Sequence, residues 1–155
     1  MSFSTESRVT IAADVSDVWA YLCDVRRWPE WAPTVLECSV RGGAPLQPGS
    51  RVDQRAKAVL GFSRGRSQEV TLLQAPHSMA FAGPMGTSAA RWGMELEPLQ
   101  EGQTDALMWI EVELGGIMRA IPAGLLQGRI QRVSDREMVA IRSAVESETA
   151  GGAGS

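Results

Sequence analysis

IAADVSDVWAYLCDVRRWPEWAP, residues 11–33, decides how the rest of the chain is read. Val15, Val18, Trp19, Leu22 and Val25 recur at i, i+3, i+4, i+7 and i+10, one face of a 3.6-residue period, while Ser16, Asp17 and Asp24 turn away from it. Asp14 is a good N-cap, and Asp17 adds negative charge in the first turn, where unpaired amide groups and the helix dipole favour it. The spacing predicts a helix that begins near Val15. Pro29 disfavours helical geometry at Trp28, so a break is expected there, with Trp28 and Trp31 flanking a short, bent second helix. Each indole can either pack that corner or line an opening.

Outward from this stretch, the chain alternates short strand-like runs with turn chemistry. Phe3–Ala13 precedes the helices; Val35–Arg41 ends at Gly42-Gly43, Ser50–Val59 follows Pro48-Gly49, and Arg64–Gln74 ends at Ala75-Pro76. Met79–Ala82 ends at Gly83-Pro84, Ser88–Leu96 ends at Pro98, and Thr104–Leu114 ends at Gly115-Gly116. Seven strands with so little between them predict an antiparallel meander rather than alternating strand and helix units. From Ile121 to Glu148 the period becomes helical: Leu126, Ile130, Val133, Ile141 and Val145 share a stripe, with Arg129, Arg132, Arg136 and Arg142 off it. Residues 1–148 are therefore expected to form one α+β domain, and 149–155, rich in Gly, Ala and Ser, a flexible tail.

At 155 residues, with 44% hydrophobic and 21% charged content, the chain can bury a core without metals or crosslinks. A formal charge of −3 gives no general attraction to nucleic acid, and no partner of that kind is expected. No apolar run approaches the roughly 20 residues that a membrane helix needs, and MSFSTESR lacks signal-peptide character, so a cytoplasmic location is expected. Cys23 and Cys38 form no C-x-x-C pattern and read as small buried hydrophobes. Gly-rich phosphate loops, H-E-x-x-H and G-x-S-x-G elbows are missing from the sequence, so neither cofactor nor metal is expected. His77, the sole histidine, follows Pro76 and reads as a solvated turn residue.

Strand alternation assigns faces. Ala106, Met108, Ile110, Val112 and Leu114 form one inner series, and Trp92, Met94 and Leu96 another. Val70 and Leu72 should also point inward, and counting back by twos brings Gln68 and Arg66 to the same face. An inward arginine needs a partner, because an unpaired buried charge is very costly. Arg66 has three open fates: it can bind an anionic or carbonyl-rich ligand, pair with an acid such as Glu137 on the long helix, or swing out if a bulge at Gly65 shifts the phase. Gln68 and Gln54 are further candidates for orienting a ligand. Trp109 falls on the outer face with Glu111 and Glu113, either covered by its neighbours or open as a dimer or partner contact.

The order strand, two helices, six strands, long helix, with Val18-Trp19, Asp24 to Trp28-Pro29-Glu30-Trp31, Pro48-Gly49, Glu69-Val70, Ile141-Arg142 and Val145-Glu146, resembles the helix-grip superfamily. That superfamily includes polyketide cyclases, lipid-transfer START domains and Bet v 1 allergens; the polyketide cyclase/dehydrase-like branch is the most similar, over about Ser4 to Glu148. The resemblance implies a curved seven-stranded antiparallel sheet wrapped around the long helix. It also implies a deep, mainly apolar cavity between them, with the Trp28–Trp31 bend at its mouth. Arg66 and Trp28 match an arginine and a tryptophan of polyketide aromatase/cyclases. Their tyrosine has no counterpart, because the only tyrosine is Tyr21, inside the first helix.

The leading expectation is a domain that encloses a hydrophobic small molecule, such as a polyketide, lipid or isoprenoid. Trp28, Trp31, Trp92, Met94 and Met108 would supply contact area, and Gln54, Arg66 and Gln68 orientation. A cyclase or dehydratase using the same pocket is the alternative, with Arg66 stabilising enolate charge. A protein-interaction module is a third, and it requires an exposed apolar patch at Trp109.

Overall fold

Alternating side chains and glycine or proline turns build seven strands in a single antiparallel sheet, ordered β1-β7-β6-β5-β4-β3-β2. The computed structural model describes residues 2–57, 63–85 and 87–153. In chain order the elements are β1 (Ser2–Ile11), α1 (Val15–Cys23), a 3₁₀ helix (Val25–Glu30), β2 (Val35–Val40), β3 (Arg51–Lys57), β4 (Ser63–Gln74) and β5 (Ser78–Met85). There follow β6 (Ser88–Gln100), β7 (Gln103–Glu113), a 3₁₀ turn (Gly116–Ala120) and α2 (Ala123–Ala153). This is the helix-grip architecture, a curved sheet around a long C-terminal helix. The expected end of the third strand at Val59 and the last tail residues, 154 and 155, lie outside the described residues.

α2 is held to the sheet by two different stripes. Ser134, Met138, Ile141 and Val145 are buried at i, i+4, i+7 and i+11, facing the core. A polar stripe beside them stitches the helix to the free edge of β1: Gln127 Nε2 donates to the Ser4 carbonyl (2.9 Å) and Gln131 Nε2 to the Glu6 carbonyl (2.7 Å). Ser7 Oγ donates to Asp135 Oδ1 (2.7 Å). An edge strand offers unpaired backbone groups to any passing strand, and here the helix's own side chains occupy them.

Several boundaries move from their expected places. The helix breaks at Asp24 (φ −83°, ψ 86°) rather than at Trp28, and Pro29 lies inside the 3₁₀ helix that follows. Residues at i and i+3 eclipse in a 3₁₀ helix, so the early break turns both Val25 and Trp28 into the core, at 3% and 1% exposure. Asp14 holds the N-cap position, but its carboxylate leaves the helix N-terminus uncapped and accepts instead from the Gly102 amide (3.1 Å). β5 runs on through Gly83-Pro84: its pairing with β4 is described only to Ala82, and beyond that point a proline lacking N–H is tolerated. β6 similarly continues past Pro98, next to a register shift. α2 starts at Ala123 and runs on to Ala153, past Glu148.

The bulge in β4 lies between Val70 and Leu72, not at Gly65. Val70 therefore keeps the inward phase of Gln68 and Arg66, while Leu73 replaces Leu72 against the core. Cys38 is buried as expected, but Cys23 is only half-buried. Trp109 is also half-buried, because it lies over its cross-strand partner Gly93, where a Cβ would come within 2.6 Å of the indole. No helix among the described residues is long and apolar enough to cross a membrane.

Candidate functional site

The bend after α1 carries an aromatic cluster rather than a lone tryptophan. Trp28 is 1% exposed, and its indole Nε1–H donates to the Leu22 carbonyl (2.9 Å), one of the orphan acceptors at the end of α1. Its ring meets Phe81 (5.2 Å between centroids, 84°) and Trp92 (5.3 Å, 68°) edge-on, and Phe81 and Trp92 stack at 4.5 Å and 16°. Trp31 adds a fourth ring, 5.8 Å from Trp28 and 6.3 Å from Trp92. It is 3% exposed, yet its Nε1–H has no hydrogen-bond partner.

Polar groups converge on the neighbouring strands. β3 and β4 pair in a register that sets Gln54 opposite Arg66 and Val52 opposite Gln68, so the inner face of this corner gathers three large polar side chains. Gln54 Oε1 accepts from Arg66 Nε (2.6 Å) and from Gln68 Nε2 (3.3 Å), and Gln68 Oε1 accepts from Trp92 Nε1 (2.8 Å). Both glutamines are buried and tied to each other, which leaves the Nη groups of Arg66 without a partner among the described residues. Gly83 lets Gln68 lie flat here, since a Cβ on it would approach Gln68 Cγ to 3.0 Å.

Glu137 faces Arg66 from α2 without reaching ion-pair distance. Burial pushes its carboxyl up to about 7, against the downward pull of the Arg66 charge. Arg66 is in turn lowered by burial and partly propped up by Glu137. Burial also raises the thiol of Cys38, behind Gln54, to about 12, so it stays protonated.

These groups surround one cavity of about 180 Å³. Of the residues expected at a site, Trp28, Trp31, Gln54, Arg66, Gln68, Trp92 and Met108 line it. Met94 does not: it is fully buried one step further along β6, between its cross-strand partners Met79 and Met108. Among the lining residues that strand alternation alone did not nominate are Glu137, Pro84 and Met85. Ending β5 at Gly83-Pro84 hides the last two, and Glu137 is legible in the sequence only as an acid that can pair with Arg66. His77 is exposed in its turn, with its N–H donating to the Gln74 carbonyl.

Comparison with known proteins shows the family and the fold. The family described as polyketide cyclase/dehydrase and lipid transport matches residues 2–146. No curated protein matches by sequence. Among solved structures, a START superfamily protein from Mycobacterium smegmatis superposes with a TM-score of 0.74 at 16% identity, covering 93% of this chain and 97% of its own. A conserved protein from Geobacillus kaustophilus gives 0.76 at 16% identity (94% and 96% covered). A norcoclaurine synthase point mutant from Thalictrum, solved with a transition-state analogue, gives 0.70 at 12% identity (96% and 97%). At such identities the likeness is one of fold.

Proposed function

The chain belongs to the polyketide cyclase/dehydrase and lipid transport family, and on that premise we propose that it binds a hydrophobic small molecule in the cavity between sheet and α2. The observation that carries this reading is a wall of Trp28, Trp31, Trp92 and Met108 meeting one polar corner whose donors are not all used within the protein. An apolar pocket with a few convergent polar groups is the usual form of a small-molecule site. Its 180 Å³ lies below the roughly 300–1,000 Å³ of most ligand pockets, which favours a compact one- or two-ring molecule, or one end of a longer chain. Native mass spectrometry of protein purified from its own host tests the reading. Retention of an apolar small molecule, displaced in a Trp92→Ala variant, is expected; a bare chain that also leaves hydrophobic probe fluorescence unchanged counts against it.

One observation favours a second reading, a polyketide cyclase or dehydratase. Such chemistry needs a group that can hold and release a proton near neutral pH, and burial of Glu137 beside Arg66 supplies one. The test is incubation with a reactive polyketide chain: the wild-type protein should shift the product distribution and Glu137→Gln should restore the uncatalysed one. An unchanged distribution with the wild-type protein sinks this reading.

A further inference from the structure

The side-chain hydrogen bonds available in the cavity are lopsided. The oxygens of Gln54 and Gln68 are both taken, by Arg66 and Gln68 and by Trp92 respectively. What the wall still offers an anion is the pair of Nη groups of Arg66, while Thr34 and Glu137 bring groups that both donate and accept. The charges are lopsided as well. Among the described residues, the 3₁₀ helix and strands β2 to β7 contribute no charged side chain to the wall other than Arg66, and α2 contributes Glu137. Cys38 on β2, behind Gln54, stays a thiol. Burial pushes the Glu137 carboxyl up to about 7, so below neutrality the guanidinium has little compensating charge.

We infer that the cavity takes a flat hydrophobic ring bearing a carboxylate, its oxygens held by the Nη groups of Arg66 and its ring against Trp92. This rests on the small-molecule reading and narrows it to a ligand class. A neutral carbonyl satisfies the same donors but leaves the guanidinium uncompensated, whereas a carboxylate does both and forms the stronger, charge-assisted bonds. Ionised Glu137 repels the anion, so affinity is full well below pH 7 and falls as pH rises through and above it, by up to about tenfold per unit.

The test uses the wild-type chain and two ring-matched probes, 2-naphthoate and 2-naphthalenemethanol, titrated calorimetrically at about pH 6 and about pH 8.5. Expected is a preference for 2-naphthoate of at least about tenfold at the lower pH, shrinking by about tenfold or more at the higher. Glu137→Gln should keep the preference at both pH values, and Arg66→Gln should erase it. If the alcohol binds as tightly as the carboxylate at pH 6, the carboxylate inference is overturned while small-molecule binding stands. If the preference does not change with pH, the role of Glu137 is overturned. If neither probe binds, both the inference and the small-molecule reading fall. The probe and pH comparisons on the unaltered chain decide these outcomes even where a variant folds poorly.

Discussion

The two ends of the space under α2 share β4, β6, β7 and α2 and have opposite chemistry. At the end covered by α1, Ile11, Val18, Leu22, Met94, Leu96, Ala106, Met138 and Ile141 form a dry core, each at 3% exposure or less. At the other end, β4 offers Gln68 and Arg66 where it offered Val70, β6 offers Trp92 where it offered Met94, and α2 turns Glu137 toward an open cavity. Adjacent residues on one helix, Glu137 and Met138, therefore serve different purposes. Stability is concentrated where side chains interdigitate without gaps, and ligand chemistry where polar groups are held by one another and still have bonds to give. The comparison implies that substitutions sort by end of the cavity more than by distance along the sequence.

Met138→Ala should have the largest effect. It removes a fully buried side chain from the closed end, where neighbours on α1 and the sheet cannot collapse into the gap, and should cost about 2–5 kcal/mol. Chemical denaturation measures this, and a loss below about 1 kcal/mol breaks the claim that this end carries the stability. Next in size is a pH effect at the open end. The Glu137 carboxyl is raised in the folded chain from its ordinary 4.5 to about 7, so its contribution is fully present below about pH 4.5 and is lost as pH rises toward and through 7. The loss should be on the order of 1–3 kcal/mol. Glu137→Gln should flatten that slope and be the more stable protein at pH 8, as followed by denaturation midpoints across pH; an unchanged slope in the variant refutes it.

Most of the closed end was legible in the sequence, because apolar residues at periods of 3.6 and 2 declare a core directly. The stripes Val15 to Val25 and Ala106 to Leu114, with turn residues between strands, were enough to order the elements. What escaped was set by contacts that single elements do not reveal. Nothing local shows that Asp14 will leave the helix N-terminus for the Gly102 amide, or that α1 will stop at Asp24 so that Val25 and Trp28 can turn inward together. At the open end, phase counting put Arg66 and Gln68 on the inner face because the bulge falls beyond Val70 and leaves them in register. It also put Met94 there, since alternation gives the face but not which part of the face is cavity and which is core. Glu137 was hardest to place: a glutamate on a helix otherwise edged with arginines reads as solvated until the opposite wall is known.

The smallest effect compares two indoles three residues apart. Trp28 donates its N–H to the Leu22 carbonyl, and Trp31 donates to nothing although it is equally buried. Trp28→Phe removes a bond and leaves a helix-end carbonyl unpaired, at a cost of about 1–3 kcal/mol on top of the lost area. Trp31→Phe loses similar area but also removes a buried donor that had no partner, so the hydrogen-bond cost disappears or changes sign. The first variant should therefore be less stable than the second by at least about 1 kcal/mol in parallel denaturation curves. Equal stabilities for the two variants would mean that Trp31 has a partner in solution, and the open end would then be closer in character to the closed one than its geometry indicates.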